Sequence, residues 1–239
     1  MQFAGVSDIG RMRETNEDSF CLDPVDDNRG AWLLAVADGI GGYRAGEVAS
    51  RIAIQTVREH LQSGAGDWLE RLRGAITAAH ARVVAASASD GQWAGMATTL
   101  TAVVVEGARL FWGHVGDSRA YLVQSGRLRL LTRDHSVAGE LLAGGQIGED
   151  AARSHPQRNL LTQALGIPGA LEVETGLTEL RPGDWLILTT DGLTEVVRGE
   201  EIVHSAAESL VPEPLCERLV ALANARGGPD NITVIAARA

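Results

Sequence analysis

An uninterrupted apolar run, Ala31–Ala37 (AWLLAVA), stops at a carboxylate, Asp38, followed by Gly39. A short apolar run bounded by a turn reads as a buried strand. A strand that ends in an acid and a glycine puts a charged side chain at the rim of a sheet, where sites are usually built. Gly39 has no Cβ, so its carbonyl can come close to a ligand or metal. Gly41-Gly42 follow, and from Glu47 to Leu61 the residues Val48, Ala49, Ile52, Ala53 and Thr56 keep the spacing of one helix face. The same ending returns where WLILT (185–189) runs into Thr190-Asp191-Gly192, and a third acid, Asp230, stands in GGPDNITV. One Asp-Gly is most simply a turn. Three acids in such settings need a common explanation.

The rest of the chain has the material to surround that strand. Of 239 residues 45% are hydrophobic, enough for a sizeable core in one large domain or two small ones. No repeat or linker divides them, which predicts one domain over 1–239. The aromatic share of 4% argues against a surface built to stack bases, and a net charge of −10 disfavours a nucleic-acid partner. The two cysteines, Cys21 and Cys216, form no CxxC; free thiols in a reducing compartment fit, with a single disulfide left open. The N-terminal residues lack the apolar core of a signal peptide, and no apolar run approaches the ~20 residues of a membrane helix. The expectation is a cytoplasmic protein with no membrane partner.

Patterning predicts strands at Phe3–Ser7 and Asp18–Leu22, a turn at Asp23–Gly30, and a second helix carrying Trp68, Leu69, Leu72, Ala75, Ile76, Ala79 and Val83. A meander follows: Thr98–Val105, Leu110–Val115, Ala120–Val123 and Leu128–Leu131, broken at Gly116-Asp117-Ser118 and Gln124-Ser125-Gly126. Residues 135–166, with glycine pairs and short helical pieces, look like an inserted flap. Leu171–Leu177 alternates as an edge strand, Trp185–Thr189 is a strand, helices lie near Gly199–Ser209 and Pro214–Ala225, and Asn231–Ala237 closes the chain as a strand. This order is α+β: two packed antiparallel sheets with helices outside.

Carboxylates without paired His or Cys favour Mg²⁺ or Mn²⁺ over Zn²⁺. The histidines show no HExxH, no GxSxG is present, and DGIGGYRAG is not a P-loop. Asp38, Asp191 and Asp230 brought together would repel unless cations neutralised them, and two divalent ions would also activate a water. Arg13 could clamp an oxyanion. Acids, metal and arginine together suit phosphate-ester hydrolysis.

The blocks RETNEDS (13–19), ADGIGGYRAGEVAS (37–50), MATTL (96–100), GHVGDSRAYL (113–122), LTRDHS (131–136), HPQRNLLTQALG (155–166), LTTDGL (188–193) and GGPDNITV (227–234) run nearly end to end. In this order they resemble the bacterial metal-dependent serine/threonine protein phosphatases of type 2C. The resemblance implies a four-layer αββα sandwich of two antiparallel sheets flanked by helix pairs, with a flap over a binuclear Mn²⁺/Mg²⁺ centre. It implies hydrolysis of phosphoserine and phosphothreonine by direct attack of an activated water, on phosphorylated proteins and in opposition to a bacterial Ser/Thr kinase, by a monomer. Matching positions make Asp38 the bridge between two metals and the Gly39 carbonyl a ligand of one. Asp191 and Asp230 complete the other, and Asp117 joins Asp191 at a third, weaker ion. Glu17 and Asp18 orient waters, and Arg13 holds the phosphate.

This chain departs from the family pattern at Tyr43, where His is frequent, at Ile40, where eukaryotic members carry the proposed general acid, and at Ala97, where Gly is usual. Blander readings stand beside the sharp ones. Asp117 and Asp184 are turn residues, Arg13 a surface cation, Glu17 and Asp18 local caps, His114 and His135 structural, and the tryptophans core anchors. The rival functions are a catalytically weak phosphatase-like scaffold that binds phosphoproteins, and the anti-sigma-factor-antagonist phosphatase branch, against which the flap and RETNED blocks count.

Overall fold

A computed structural model describes residues 1–41 and 45–239; Tyr43 lies outside them. Strands β1 (Gln2–Asp8), β2 (Ser19–Asp26), β3 (Ala31–Ala37) and β4 (Gly39–Ile40) precede helices α1 (Ala45–Gln62) and α2 (Trp68–Ser89). Strands β5 (Ala97–Thr98), β6 (Leu100–Glu106), β7 (Arg109–Val115), β8 (Arg119–Gln124) and β9 (Arg127–Leu130) come next. The short helices α3 (Val137–Ala143) and α4 (Glu149–Arg153) lead to β10 (Glu174–Glu179) and β11 (Trp185–Thr189). Helices α5 (Asp191–Thr194), α6 (Gly199–Glu208) and α7 (Pro212–Ala225) and strand β12 (Ile232–Arg238) complete the chain.

The large sheets have the orders β1-β12-β11-β8-β9 and β10-β7-β6-β3-β2, antiparallel throughout. Strand β3 shows why its sequence is apolar without alternation. Leu33, Ala35 and Ala37 face α1 and α2, packing with Val57, Leu61, Leu72 and Ile76. Leu34 and Val36 face the other sheet, packing with Leu122, Leu186, Leu188 and Ile235. The second sheet repeats the logic: Ile187, Val234 and Ala236 meet Leu215, Leu219 and Ala223 of α7. Each fully covered leucine or isoleucine contributes about 1.5–3 kcal/mol. The layers are therefore helix pair, sheet, sheet, helix pair. Helix α2 starts where the Asp67 carboxylate accepts from the N–H groups of Leu69 and Glu70.

Four local expectations need correction. Strand β2 continues through Pro24 to Asp26 by way of an irregular register; it is an edge strand, where a proline removes no needed ladder donor. TTLTAVVV is not one strand: Ala97–Thr98 leaves the sheet to pair with Gly39–Ile40. The meander breaks at Gly116-Asp117-Ser118, because β7 and β8 belong to different sheets. Gly116 makes that crossing with φ +110, a conformation that suits glycine. The edge strand begins at Glu174, not Leu171; Val173 and Leu171 instead pack into the cluster under α2.

Candidate metal centre

The strand ends converge at one end of the sandwich. Asp38 follows β3, Asp191 follows β11, Asp230 precedes β12, Glu17 and Asp18 precede β2, and Asp117 sits in the crossing between the sheets. Antiparallel pairing of β2 with β3 and of β11 with β12 is what brings starts and ends of strands together.

Backbone and hydroxyl contacts hold the acids in place. The Asp38 N–H donates to Thr99 Oγ1 (2.9 Å), and its carbonyl accepts from the Thr99 N–H (2.9 Å) and Thr98 Oγ1 (2.8 Å). Thr99 Oγ1 in turn pairs with Ser118 Oγ at 2.7 Å, beside Asp117. The Asp18 Oδ2 accepts from Thr233 Oγ1 (2.6 Å) and Thr190 Oγ1 (2.8 Å). Asp230 Oδ1 accepts from the Asn231 N–H, and its Oδ2 accepts from Arg13 Nη2 at 2.6 Å. Arg13 thus reaches the acids while half exposed, and the pairing with Asp230 raises its pKa.

Glu17 lies beside the start of α1. Its carboxylate packs against the Gly46 backbone in the first turn of α1, and burial raises its pKa. A Cβ at Gly46 would stand 2.7 Å from Glu17 Oε2, and one at Gly39 would stand 2.3 Å from the Gly46 carbonyl oxygen. Gly39 and Gly46 are therefore needed for close packing of Glu17, β4 and α1.

Burial dominates the electrostatics. It holds Asp38 and Asp117 well above the ordinary carboxylate range, with the charge of Asp191 the next contributor to each. Burial also pushes Asp191 up to about 6 and Asp18 up to about 7. Two of the oxygens concerned, Asp191 Oδ1 and Asp18 Oδ1, are buried with no hydrogen-bond partner. Orphaned carboxylate oxygens among mutually repelling acids match what a hard divalent cation requires. Asp38, Asp191 and Asp117 are buried acids whose charges act on one another, and Asp230 adds to the charge on Asp191.

A second group of potential ligands, His114, His135 and Glu174, has ligand atoms within 4.8 Å of one another. Its rings are already engaged. His114 Nδ1 pairs with Thr101 Oγ1 (2.8 Å) and Nε2 with the Arg133 carbonyl (3.0 Å), while His135 Nδ1 accepts from the Gly116 N–H (3.2 Å). Burial lowers the His114 pKa to about 3. These contacts tie the root of the flap to the Asp117 crossing.

Sequence reasoning passed over Asn231. Its Oδ1 accepts from the Glu17 N–H (2.8 Å), and its Nδ2 donates to the carbonyls of Ile9 (2.9 Å) and Thr15 (3.0 Å). One side chain thereby pins the loop that carries Arg13 and Glu17 against β12. Its only signal in sequence is adjacency to Asp230. The Arg119–Asp134 pair was also unforeseen, at 2.5 Å behind Asp117.

The family model for protein phosphatase 2C matches residues 10–226. A putative protein phosphatase 2C-type from Streptococcus pyogenes is 37% identical over 98% of this chain and 96% of its own length. The serine/threonine protein phosphatase PstP of Mycobacterium tuberculosis is 41% identical over 99% of this chain, which spans 45% of that protein. The crystal structure of the PstP phosphatase superposes with a TM-score of 0.89 at 37% identity, covering 99% of this chain and 97% of that one. A second structure, the catalytic domain of PstP in complex with two manganese ions, gives 0.87 at 35% identity, covering 99% and 97%. The two antiparallel sheets with flanking helices match the fold of these neighbours, and the chain belongs to the protein phosphatase 2C family.

Proposed function

We infer that this chain is a metal-dependent protein serine/threonine phosphatase that hydrolyses phosphoserine and phosphothreonine by direct attack of water on phosphorus. The observation that carries this reading is the buried cluster of Asp38, Asp191, Asp18 and Asp117, with two orphaned carboxylate oxygens and Arg13 at its rim. Mn²⁺ or Mg²⁺ bound there would offset the carboxylate charge and make water a nucleophile near neutral pH.

In this reading Asp38, Asp191, Asp230 and the Gly39 carbonyl hold the ions, with Asp117 serving a third and weaker position. Asp18, anchored by two threonine hydroxyls, presents its free Oδ1 to water at the centre. Glu17 orients water less directly, because its carboxylate also packs against Gly46 of α1. Arg13, half exposed on a loop pinned by Asn231, offers its guanidinium to the substrate phosphate; five donors in a planar fork fit phosphate oxygens. Ile40 has no acidic proton to give, so the leaving serine or threonine oxygen takes one from water or from another group.

The partners in this reading are phosphorylated proteins and an opposing Ser/Thr kinase. Both cysteines are free and buried, which supports a reducing cytoplasmic setting, and no described helix is long and apolar enough to cross a membrane. The chain acts as a single catalytic domain over 1–239, with the flap at about 135–166. The test is hydrolysis of a phosphothreonine peptide with Mn²⁺, with EDTA, and by Asp38→Asn and Asp191→Asn. Turnover that needs metal and disappears in both variants supports the reading; a folded, metal-loaded wild type without turnover leaves the phosphoprotein-binding scaffold.

A further inference from the structure

Asp38 and Asp117 reach the centre from different sheets. Asp38 follows β3, whose neighbour β6 begins directly after Thr99, whereas Asp117 lies in the crossing that ends at Ser118, just before β8. Farther from the acids the two sheets meet through apolar side chains, with Leu34 and Val36 packed among Leu122 and Leu188. Beside Asp38 and Asp117 the filling changes to hydroxyls: Thr98, Thr99, Thr101 and Ser118 are buried, none more than 1% exposed. A polar seam inside a sandwich is costly unless its groups are bonded to one another.

Each of these hydroxyls is engaged. Thr98 Oγ1 donates to the Asp38 carbonyl at 2.8 Å, and Thr99 Oγ1 accepts from the Asp38 N–H at 2.9 Å. Thr99 Oγ1 also pairs with Ser118 Oγ at 2.7 Å, while Thr101 Oγ1 donates to the Ser118 carbonyl at 2.9 Å. Ser118 is thus gripped at two atoms from the side of the molecule that carries Asp38. Gly116, on the other side of Asp117, packs against the same threonine: a Cβ there would stand 2.6 Å from Thr99 Cβ. Thr99 therefore lies against both neighbours of Asp117 and bonds the backbone of Asp38.

Buried acids that repel one another drift apart unless something fixes their backbones, and divalent ions accept only a narrow range of ligand spacings. A directed bond between hydroxyls fixes a spacing in a way that a methyl contact does not. We propose that the Thr99–Ser118 hydroxyl pair is a strut that sets the spacing of Asp38 and Asp117 across the two sheets, which makes Thr99 a positioning residue for divalent-ion binding. This rests on the metal-dependent reading of the centre. It adds that the affinity for the ions depends on a hydroxyl whose own bonds go to the Asp38 backbone and to Ser118.

The test is calorimetric Mn²⁺ binding to the EDTA-treated and dialysed protein, with the metal-free melting temperature recorded for each variant. Thr99→Val keeps the shape and removes the hydroxyl; it should weaken Mn²⁺ binding about ten- to a hundredfold, the range for groups that support metal ligands from behind. Thr99→Ser returns the hydroxyl and should bind as wild type does. Ser118→Ala breaks the same bond from its other end and should also weaken binding. The double variant Thr99→Val/Ser118→Ala should be no weaker than Thr99→Val alone, because one bond is lost only once. A hydroxyl with a merely structural role would lower the melting temperature of Thr99→Val and leave its Mn²⁺ affinity unchanged. That result, or losses that add in the double variant, overturns the strut. Should Thr99→Val fail to fold, Ser118→Ala decides: weakened binding supports the strut, and wild-type affinity overturns it. Wild type that binds no Mn²⁺ removes the metal reading and the strut together, whereas equal binding by wild type and Thr99→Val removes the strut alone.

Discussion

Asp191→Asn should make the metal-free protein more stable while destroying its response to metal. In the folded chain, burial and the neighbouring acids raise Asp191 from 3.8 to about 6. At ~1.4 kcal/mol for each tenfold, keeping it ionised costs about 3 kcal/mol relative to the unfolded chain. The sign follows from where the proton sits. Below the unfolded value of 3.8 the acid is protonated in both states and nothing is lost. As pH rises through about 6, the folded state gives up a proton it holds more tightly, and that stability disappears. The asparagine, which fills the same volume and keeps no charge, avoids the loss. At pH about 8 with EDTA, the variant should therefore melt higher than wild type by roughly 6–12 °C, at ~2–4 °C per kcal/mol for a chain of this size. The gain should vanish below a pH of about 4, near the unfolded value. Mn²⁺ at about a hundred times its Kd should restore ~2.7 kcal/mol to wild type and add little to the variant. Scanning calorimetry across pH, with and without Mn²⁺, reads all of this. A variant that melts lower than wild type without metal, or that gains as much from Mn²⁺, would refute the picture of a repelling acid cluster built for cations.

Other expectations follow from single residues. Arg13→Ala should raise KM for a phosphothreonine peptide by about ten- to a hundredfold, the value of a charge-assisted phosphate contact, in steady-state kinetics. Asn231→Ala should destabilise the chain by about 1–3 kcal/mol, because it leaves the Glu17 N–H and two carbonyls without their partner; thermal melts measure it. His114 is held neutral to about 3, so the unfolded chain takes up a proton first as pH falls below ~6.5, and this one residue removes about 2 kcal/mol of stability between pH ~7 and ~5. Denaturant titrations of His114→Gln against wild type should show a shallower acid dependence in the variant.

The sandwich was largely legible because its strands carry their own signal. A run such as Leu33–Ala37, covered by helices on one face and by a sheet on the other, must be apolar at every position. The acids at strand ends were legible because Asp-Gly after a buried run is a local pattern. What was hidden depends on pairings far apart in sequence. Nothing local says that β7 and β8 enter different sheets, so a meander was expected where the chain instead crosses at Asp117. Thr98 and Leu100 look like one strand, yet the chain turns at Thr99 to bond Asp38. Asn231 resembles any turn asparagine until β1, β2 and β12 bring residues 9–17 within its reach.

The central claim is that these carboxylates exist to hold divalent ions that drive phosphoester hydrolysis. Its most direct measurement is a Mn²⁺ titration of the EDTA-treated protein, followed in parallel by calorimetric binding and by phosphate release from a phosphothreonine peptide. The account predicts binding of about two tight ions and turnover that rises with their occupancy. Hydrolysis that is indifferent to metal, or Mn²⁺ binding in full without any phosphate release, would contradict it.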